Sequence, residues 1–548
     1  MSTTKVTASE NTCTRWITGG AFVFGVALAC TAFASPPTDN IVPIAPRTMP
    51  RIATVSPRYQ SYNVEMAEVI GGNFWKPYTP ASIAAMQAKS ANAAFGGVGQ
   101  DTTMFEARPP IDLANARLRK LAAALGPAYV RVSGTWANSV YFFDSNGTPP
   151  KVAPKGFNGV LTRKEWKEVV GFAHAVDAKL VTSFTISAGV RNARGVWMPV
   201  QARKLAAYTK SIGGKVAAAE YFNEPDMPAF GGAPKDYDAA DYARDFAVFR
   251  RFAAKDLPDM KIVGPGSVGE GVLMPSLAGD SPMKAGYVST EAMLSATPRP
   301  VFDIFSYHFY GAVSLRGASM GAAAQTTAAD ALSDTWLDRT EKGYDYYVKG
   351  LRDRFEPDKS VWITETADAA AGGNPWASTF LDSFRYLNQL GRMAQNGVQA
   401  VFHNTLASSD YGLLDPNTFE PRPDYWAALL WRRLMGTTVL DAGPTQPDLH
   451  LYAQCLRGHP GGVSVLVINN SRDRAQTLDL PISAERYTLS AMRLEDHVVK
   501  LNGRVLALGA GNELPPLRGE HVASGRVQLT PATITFFAIP GAGNPSCR

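Results

Sequence analysis

The chain has 548 residues, of which 45% are apolar and 19% are charged, and its formal net charge at pH 7 is +6. This composition excludes a largely disordered protein, and the length is sufficient for a large core and more than one domain. Lysines and arginines form no dense run, so we expect no nucleic-acid partner, although the mild positive charge is compatible with a polyanionic substrate.

Residues 1–34 are typical of an export signal. Lys5 and Arg15 precede an apolar run over residues 16–32, and small residues stand just before the predicted cleavage site. A membrane anchor is the alternative, but this run is short for a spanning helix and no other apolar stretch is long enough. A lipoprotein anchored at Cys30 is disfavoured because alanine stands where a lipobox usually has a large aliphatic residue. We predict cleavage after residue 34 and export.

Two of the four cysteines, Cys13 and Cys30, lie in the predicted signal. Cys455 and Cys547 remain in a chain exported to an oxidising space, so we predict a disulfide between them, with two free thiols as the alternative. The sequence contains no CxxC or HExxH motif, and its seven histidines are scattered. We therefore expect no metal site and no cofactor.

Alternating strand and helix patterns dominate the middle of the chain. Residues 35–58 are rich in proline and predict an extended segment that could join a C-terminal β-domain. The helices that follow include one that opens with a capping box at Thr162 and Glu165. Eight strands are predicted, at residues 59–65, 128–133, 180–187, 217–223, 260–264, 302–307, 360–365 and 398–404. Eight strand–helix units over residues 59–439 predict a (β/α)8 TIM barrel. An open doubly wound sheet is the alternative, but the Gly-rich first turn of nucleotide-binding sheets is absent.

After about residue 440 the pattern changes to short alternating runs, several of them separated by turn residues such as Asn502-Gly503. The predicted strands are residues 450–456, 463–468, 477–480, 498–501 and 534–539. Residues 440–548 therefore predict a C-terminal all-β sandwich domain.

Two glutamates follow apolar strands of the predicted barrel. Glu224 lies in Ala-Glu-Tyr-Phe-Asn-Glu-Pro (219–225), and Glu365 lies in Val-Trp-Ile-Thr-Glu-Thr (361–366). Strand ends of a barrel converge on one face, so the two carboxylates can meet across a cleft, as they do in enzymes that cleave glycosidic bonds. Taken singly, Glu224 could be a helix-capping residue at a strand end, and Glu365 could form a salt bridge with arginine. The pair predicts catalysis, with Asn223 orienting a sugar 2-hydroxyl.

A third motif, Phe-Ser-Tyr-His-Phe-Tyr (305–310), ends the predicted strand between the two glutamates. Aromatic rings and a histidine at a barrel mouth suit a sugar face and a carboxylate, so His308 is a candidate substrate contact. The alternative for His308 is a core histidine whose hydrogen bonds are satisfied within the protein.

These motifs resemble those of glycoside hydrolase family 79, the heparanase and β-glucuronidase family, and follow its order. Residues 127–135 are similar to the family's second strand. The most specific similarity covers residues 405–440, where Pro-Asp-Tyr-Trp precedes an apolar helix and Met-Gly-Thr-Thr-Val-Leu at the junction of barrel and β-domain. The resemblance runs over most of the mature chain. It implies a retaining mechanism with Glu224 as acid/base and Glu365 as nucleophile.

The resemblance also implies contacts to a uronic acid. The implied residues are Glu65, Thr135, His308, Tyr310 and Tyr411. The chain departs from mammalian heparanases at two contact positions, because Glu65 stands in place of an aspartate and Asn404 in place of a glutamine. The segment of residues 144–160 is short, whereas mammalian proenzymes carry a long, excised linker at this place. We therefore expect this chain to stay in one piece.

The sequence thus predicts an exported, monomeric, retaining hydrolase that cleaves β-linked glucuronic acid in oligo- or polysaccharides. After signal cleavage we expect no membrane segment. Endo and exo action remain alternatives. The choice depends on whether the insertions at residues 266–300 and 311–340 close the cleft beyond the first sugar. The alternatives are an arabinofuranosidase or xylosidase with the same two-glutamate barrel, or a non-catalytic carbohydrate-binding protein, against which the presence of both glutamates argues.

Overall fold

The computed structural model describes residues 41–90, 102–273, 286–320 and 322–548. The predicted signal segment and part of the 266–300 insertion lie outside these residues. Within the described ranges, no helix is both long enough and apolar enough to cross a membrane.

Eight parallel strands close into a barrel in chain order. They are β1 (Gln60–Glu65), β2 (Ala128–Ser133), β3 (Ala178–Thr182), β4 (Val216–Ala219), β5 (Lys261–Val268), β6 (Ile304–Val313), β7 (Val361–Ala370) and β8 (Ala400–His403). Each overlaps a strand predicted from the sequence, and most residues of these strands are buried because helices cover the outer face of a parallel barrel. The predicted TIM barrel is confirmed.

The helices follow the amphipathic patterns of the sequence. Those described are Met66–Ile70, Pro80–Ser90, Ala116–Ala124, Arg163–Ala175, Val200–Ser211, Ala239–Asp256, Thr290–Ser295, Asp334–Leu337, Arg339–Tyr344, Asp353–Phe355, Phe380–Gln395 and Pro423–Leu434, with a π-helix at Asp345–Arg352. The predicted capping box is formed: the Thr162 amide donates to Glu165 at 2.7 Å, and the Glu165 amide donates to the Thr162 hydroxyl at 3.3 Å. Two orphan amides at this helix start are thereby satisfied.

The barrel strands contribute both apolar and polar buried side chains. Val181, Val263, Trp362 and Phe402 belong to one cluster of buried apolar residues. Charged and polar side chains fill the interior nearer the carboxyl ends, which is where the active sites of such barrels form.

The C-terminal part of the chain forms a β-sandwich of two sheets. Its larger sheet contains Arg51–Thr54, Met435–Leu440, Leu449–Leu456, Val463–Asn469, Thr533–Ile539, Ala484–Ser490, Lys500–Leu501, Arg504–Val505 and Glu520–Val522; its smaller sheet contains Ile41–Pro43, Gln476–Leu480 and Gly525–Leu529. Apolar residues from the two sheets, such as Val465 and Leu478, share one core. Because two strands come from residues 41–54, we propose that the β-domain is built from both ends of the chain.

Cys455 and Cys547 form a disulfide, with their Cα atoms 5.3 Å apart. The bond attaches the C-terminal residues to the strand Leu449–Leu456.

Two small sheets project from the barrel. Gly72–Trp75 pairs with Phe105–Arg108 after β1, and Val140–Phe143 pairs with Gly159–Thr162 after β2. The loop that joins Val140–Phe143 to Gly159–Thr162 is short, as the sequence indicates. Its first residue, Asp144, forms an ion pair with Arg163.

Candidate active site

The two glutamates lie close together but in different local structures from those predicted. Strand β4 ends at Ala219 rather than at residue 223, and Glu224 sits in a turn with φ of 50°. This left-handed conformation is uncommon for a residue other than glycine and fixes the direction of its side chain. Glu365 is not at a strand end, because β7 continues to Ala370.

A bulge in β7 explains how two consecutive residues reach the barrel interior. The register of β6 and β7 shifts so that Tyr307 pairs with Ile363 and His308 pairs with Glu365, which leaves Thr364 unpaired. Side chains normally alternate between the faces of a strand, and a bulge breaks that alternation. Thr364 and Glu365 can therefore both contact interior residues.

Glu365 is held by three donors. Its Oε2 accepts a hydrogen bond from Arg131 Nη1 at 2.8 Å, and its Oε1 accepts from the Tyr310 hydroxyl at 2.6 Å and from Asn404 Nδ2 at 3.4 Å. The arginine salt bridge that was the alternative to catalysis is thus present, yet the side chain stays 7% exposed and faces Glu224. Such donors orient a carboxylate without blocking it.

Glu224 is more exposed than Glu365, with 18% of its side chain accessible to solvent. Burial raises its pKa, and the negative charge of Glu365 raises it further, whereas a hydrogen bond from His308 opposes the shift. The nearest side-chain atoms of Glu224, His308 and Glu365 all lie within 4.8 Å of one another. One carboxyl group is therefore biased toward the acid form beside a second that is oriented by three donors.

His308 and Asn223 lie behind the two glutamates rather than at the surface of the cleft, and both are fully buried. Nδ1 of His308 is 3.2 Å from Glu224. Although burial alone would lower the pKa of His308, the surrounding carboxylates of Glu365, Glu220 and Glu224 raise it to about 10. Asn223 accepts a hydrogen bond from Arg131 Nη2 at 2.7 Å.

A fully buried ion pair that was not predicted from the sequence lies beneath the site. Glu220 Oε2 accepts hydrogen bonds from Arg131 Nε at 3.0 Å and Nη2 at 2.7 Å. Burial would raise the pKa of Glu220, but the Arg131 guanidinium outweighs that effect and lowers the pKa to about 2. Two signals were present: an arginine inside an apolar strand needs a buried partner, and Glu220 lies four residues before Glu224 in the same motif.

Asn404 and the residues that it contacts form the opposite wall of the site. Its Nδ2 lies 3.2 Å from Glu65, 3.0 Å from the Tyr310 hydroxyl and 3.1 Å from the Tyr411 hydroxyl. Burial raises the pKa of Glu65, and the nearby charge of Glu365 adds to that rise. Four of the predicted substrate contacts are thus adjacent to one another and to Glu365.

Thr135 lies beside this group, and a glycine makes the approach possible. Gly134 has φ of 94°, and a Cβ atom added there would lie 1.6 Å from a Glu65 carboxylate oxygen. Thr135 is half-buried and opens the short 3-10 helix Thr135–Ser139. Only glycine at position 134 allows β2 to pass so close to Glu65.

Glu224, His308 and Glu365 are also the one set of metal-ligand type side chains close enough to share an ion in the part of the chain that the structure describes. The guanidinium of Arg131, 2.8 Å from Glu365, places a fixed positive charge where a cation would have to bind. This arrangement suits acid–base chemistry better than a metal.

Comparisons with known proteins identify a family and several relatives. The family model described as glycosyl hydrolase family 79, N-terminal domain, matches residues 110–391. Heparanase-like protein 1 of Arabidopsis thaliana is 28% identical over 496 residues, covering 80% of this chain and 86% of its own. Hyaluronoglucuronidase of Hirudo nipponia is 25% identical over 502 residues, covering 84% and 97%.

Solved structures show the same fold. A 4-O-alpha-L-rhamnosyl-beta-D-glucuronidase from Fusarium oxysporum 12S aligns with a TM-score of 0.60 and 13% sequence identity, covering 91% of this chain and 100% of that chain. At this identity the alignment supports the barrel architecture, whereas the family match, which spans about half of the chain, establishes kinship. The chain belongs to glycoside hydrolase family 79.

Proposed function

We propose that the protein is an exported retaining β-glucuronidase that acts on glycans containing glucuronic acid. The observation that carries the proposal is the pair of facing carboxyl groups, Glu224 and Glu365, whose nearest oxygens lie within 4.8 Å. Retaining glycosidases separate their two carboxyl groups by about 5–5.5 Å, whereas inverting enzymes need about 6.5–9.5 Å to admit a water molecule. The short distance supports retention.

The environments of the two groups suit different roles. Glu365, oriented by Arg131 and Tyr310, attacks the anomeric carbon, while Glu224, whose pKa is raised, gives its proton to the leaving oxygen. In the second step Glu224 takes a proton from water, the water oxygen bonds to the anomeric carbon, and the bond to Glu365 breaks. The reaction needs no cofactor.

The wall formed by Asn404 and its hydrogen-bond partners supports glucuronic acid as the substrate sugar. The Tyr411 hydroxyl accepts a hydrogen bond from Asn404 Nδ2 and so keeps its own hydrogen for a substrate oxygen. Burial raises the pKa of Tyr411, so this hydroxyl stays a neutral donor. A hydroxyl donor on this wall suits a uronate carboxylate, and the hyaluronoglucuronidase of Hirudo nipponia is named for a glucuronide.

Parallel assays with aryl β-glucuronide, aryl β-xyloside and heparan sulfate test this proposal. We expect rapid release of the aryl group only from the glucuronide, with the β-anomer as the first product in proton NMR. Faster turnover of the xyloside, or an α-anomer as the first product, would contradict it. In the polymer digest, free glucuronic acid alone indicates exo action and oligosaccharides indicate endo action.

A further inference from the structure

A single ring nitrogen of His308 faces both candidate catalytic carboxylates. Its Nδ1 lies 3.2 Å from Glu224 Oε1 and 3.8 Å from Glu365 Oε2, and the ring is fully buried. The side chain therefore stands behind the gap in which the sugar carbon would react, without a path to the substrate itself.

The other ring nitrogen determines where the hydrogen must be. Nε2 lies 3.2 Å from Arg131 Nη2 and 3.8 Å from Glu220 Oε1. A guanidinium can only donate, so a neutral ring presents the Nε2 lone pair to Arg131 and carries its hydrogen on Nδ1. A protonated ring carries hydrogens on both nitrogens, with Glu220 facing the second. In either state Nδ1 is a donor.

The proposed reaction moves negative charge between the two oxygens that this donor faces. When Glu365 bonds to the anomeric carbon, its charge is lost, and Glu224 becomes a carboxylate as its proton passes to the leaving oxygen. The second step reverses both changes. A donor fixed 3.2 Å from one group and 3.8 Å from the other thus lies close to negative charge throughout the cycle.

Resting on the proposed function, we propose that His308 is a positioning residue whose Nδ1–H stabilises whichever catalytic carboxylate is ionised, and that Glu220 holds it there. Glu220 is suited to that task because its Oε1 accepts from Thr364 at 2.6 Å and from Ser306 at 3.3 Å. Through Arg131, Ser306 and Thr364 it connects β2, β6 and β7, the strands that carry the site. The raised pKa of His308 is consistent with the negative charge around the ring.

The hydrogen position can be measured without substrate. Long-range proton–nitrogen correlation spectra of the exported chain, labelled with ¹⁵N-histidine, distinguish the two tautomers and the imidazolium. The signal of His308 is identified by its loss in His308→Asn or, if that variant does not fold, in His308→Gln. We expect Nδ1 to be protonated from pH 5 to pH 8. An unprotonated Nδ1 would overturn the proposal, whatever the substrate of the enzyme is.

Two substitutions of His308 separate a donor role from a packing role. The amide nitrogen of asparagine can occupy the place of Nδ1, whereas that of glutamine lies near the place of Nε2. On an aryl glucuronide we expect His308→Gln to lose at least about tenfold more kcat and kcat/KM than His308→Asn, because both steps lose their donor. Equal losses in two variants of equal thermal stability would overturn the role. A wild-type chain inactive on glucuronides refutes the proposed function instead, and leaves the spectral test in force.

Glu220→Gln tests the second half of the proposal through the pH profile. The charged groups that face His308 are Arg131, Glu220, Glu224 and Glu365. Removing one negative charge makes the remaining acids lose their protons more easily, so the basic limb of kcat/KM should move to lower pH by about half a unit or more. A folded variant with an unmoved basic limb would show that Glu220 only fills space.

Discussion

Replacing Tyr411 by phenylalanine tests how the proposed uronate site recognises its substrate. The change removes one hydroxyl, and Asn404 Nδ2 still has Glu65 and Tyr310 as acceptors within 3.2 Å, so the wall should keep its shape. If the hydroxyl donates to the uronate carboxylate, the loss is that of a hydrogen bond to a charged group, about 1.5–3 kcal/mol. At about 1.4 kcal/mol per factor of ten, kcat/KM for an aryl glucuronide should fall about 10- to 150-fold.

The assay compares kcat/KM for an aryl glucuronide with that for the matching aryl glucoside, which lacks the carboxylate. Tyr411→Phe should lower the glucuronide-to-glucoside ratio. Tyr310→Phe is the matched control. Although Tyr310 was expected to contact the uronate, its hydroxyl donates its hydrogen to Glu365, so its loss should slow both substrates alike. An unchanged ratio in Tyr411→Phe would place recognition of the carboxylate elsewhere.

Three further predictions address the acid, the nucleophile and the disulfide. Glu365→Ala should reduce turnover of an activated aryl glucuronide by several orders of magnitude, and azide should restore it with inversion; near-normal activity without azide would reject the nucleophile. Glu224→Ala should reduce turnover of substrates with poor leaving groups far more than of those with good ones, and equal losses across a leaving-group series would count against the acid role. Because the pKa of Glu224 is raised, wild-type activity on substrates with poor leaving groups should persist to higher pH and then fall as that proton is lost. The exported chain should contain no free thiol, and Cys547→Ala should lower the free energy of unfolding by up to about 4–5 kcal/mol; two titratable thiols would refute the disulfide.

Patterns that repeat along the chain predicted the barrel well. Most of the strands are largely apolar runs between turn residues, and eight strand–helix units commonly close into one barrel, so the eight strands overlap the predicted ones. The capping box at Thr162 is equally local, since it depends on a residue only three positions away.

Features that depend on contacts across the barrel could not be predicted in the same way. The Arg131–Glu220 pair joins residues 89 positions apart, and neither partner identifies the other in the sequence. The bulge at Thr364 has no composition signal, so Glu365 was expected at a strand end rather than within β7. His308 was expected at the cleft surface, but three carboxylates and an arginine surround it in the interior.

Trapping the covalent intermediate tests the central claim most directly. In an activated 2-deoxy-2-fluoro-β-glucuronide the fluorine slows both steps, but the good leaving group keeps the first step faster than the second. A retaining enzyme therefore accumulates a glycosyl ester. Intact mass should increase by one fluoroglucuronosyl group, and peptide mapping should place it on Glu365, with none in Glu365→Ala. A label on another residue, or an unlabelled enzyme that turns over the parent glucuronide with inversion, would contradict the account.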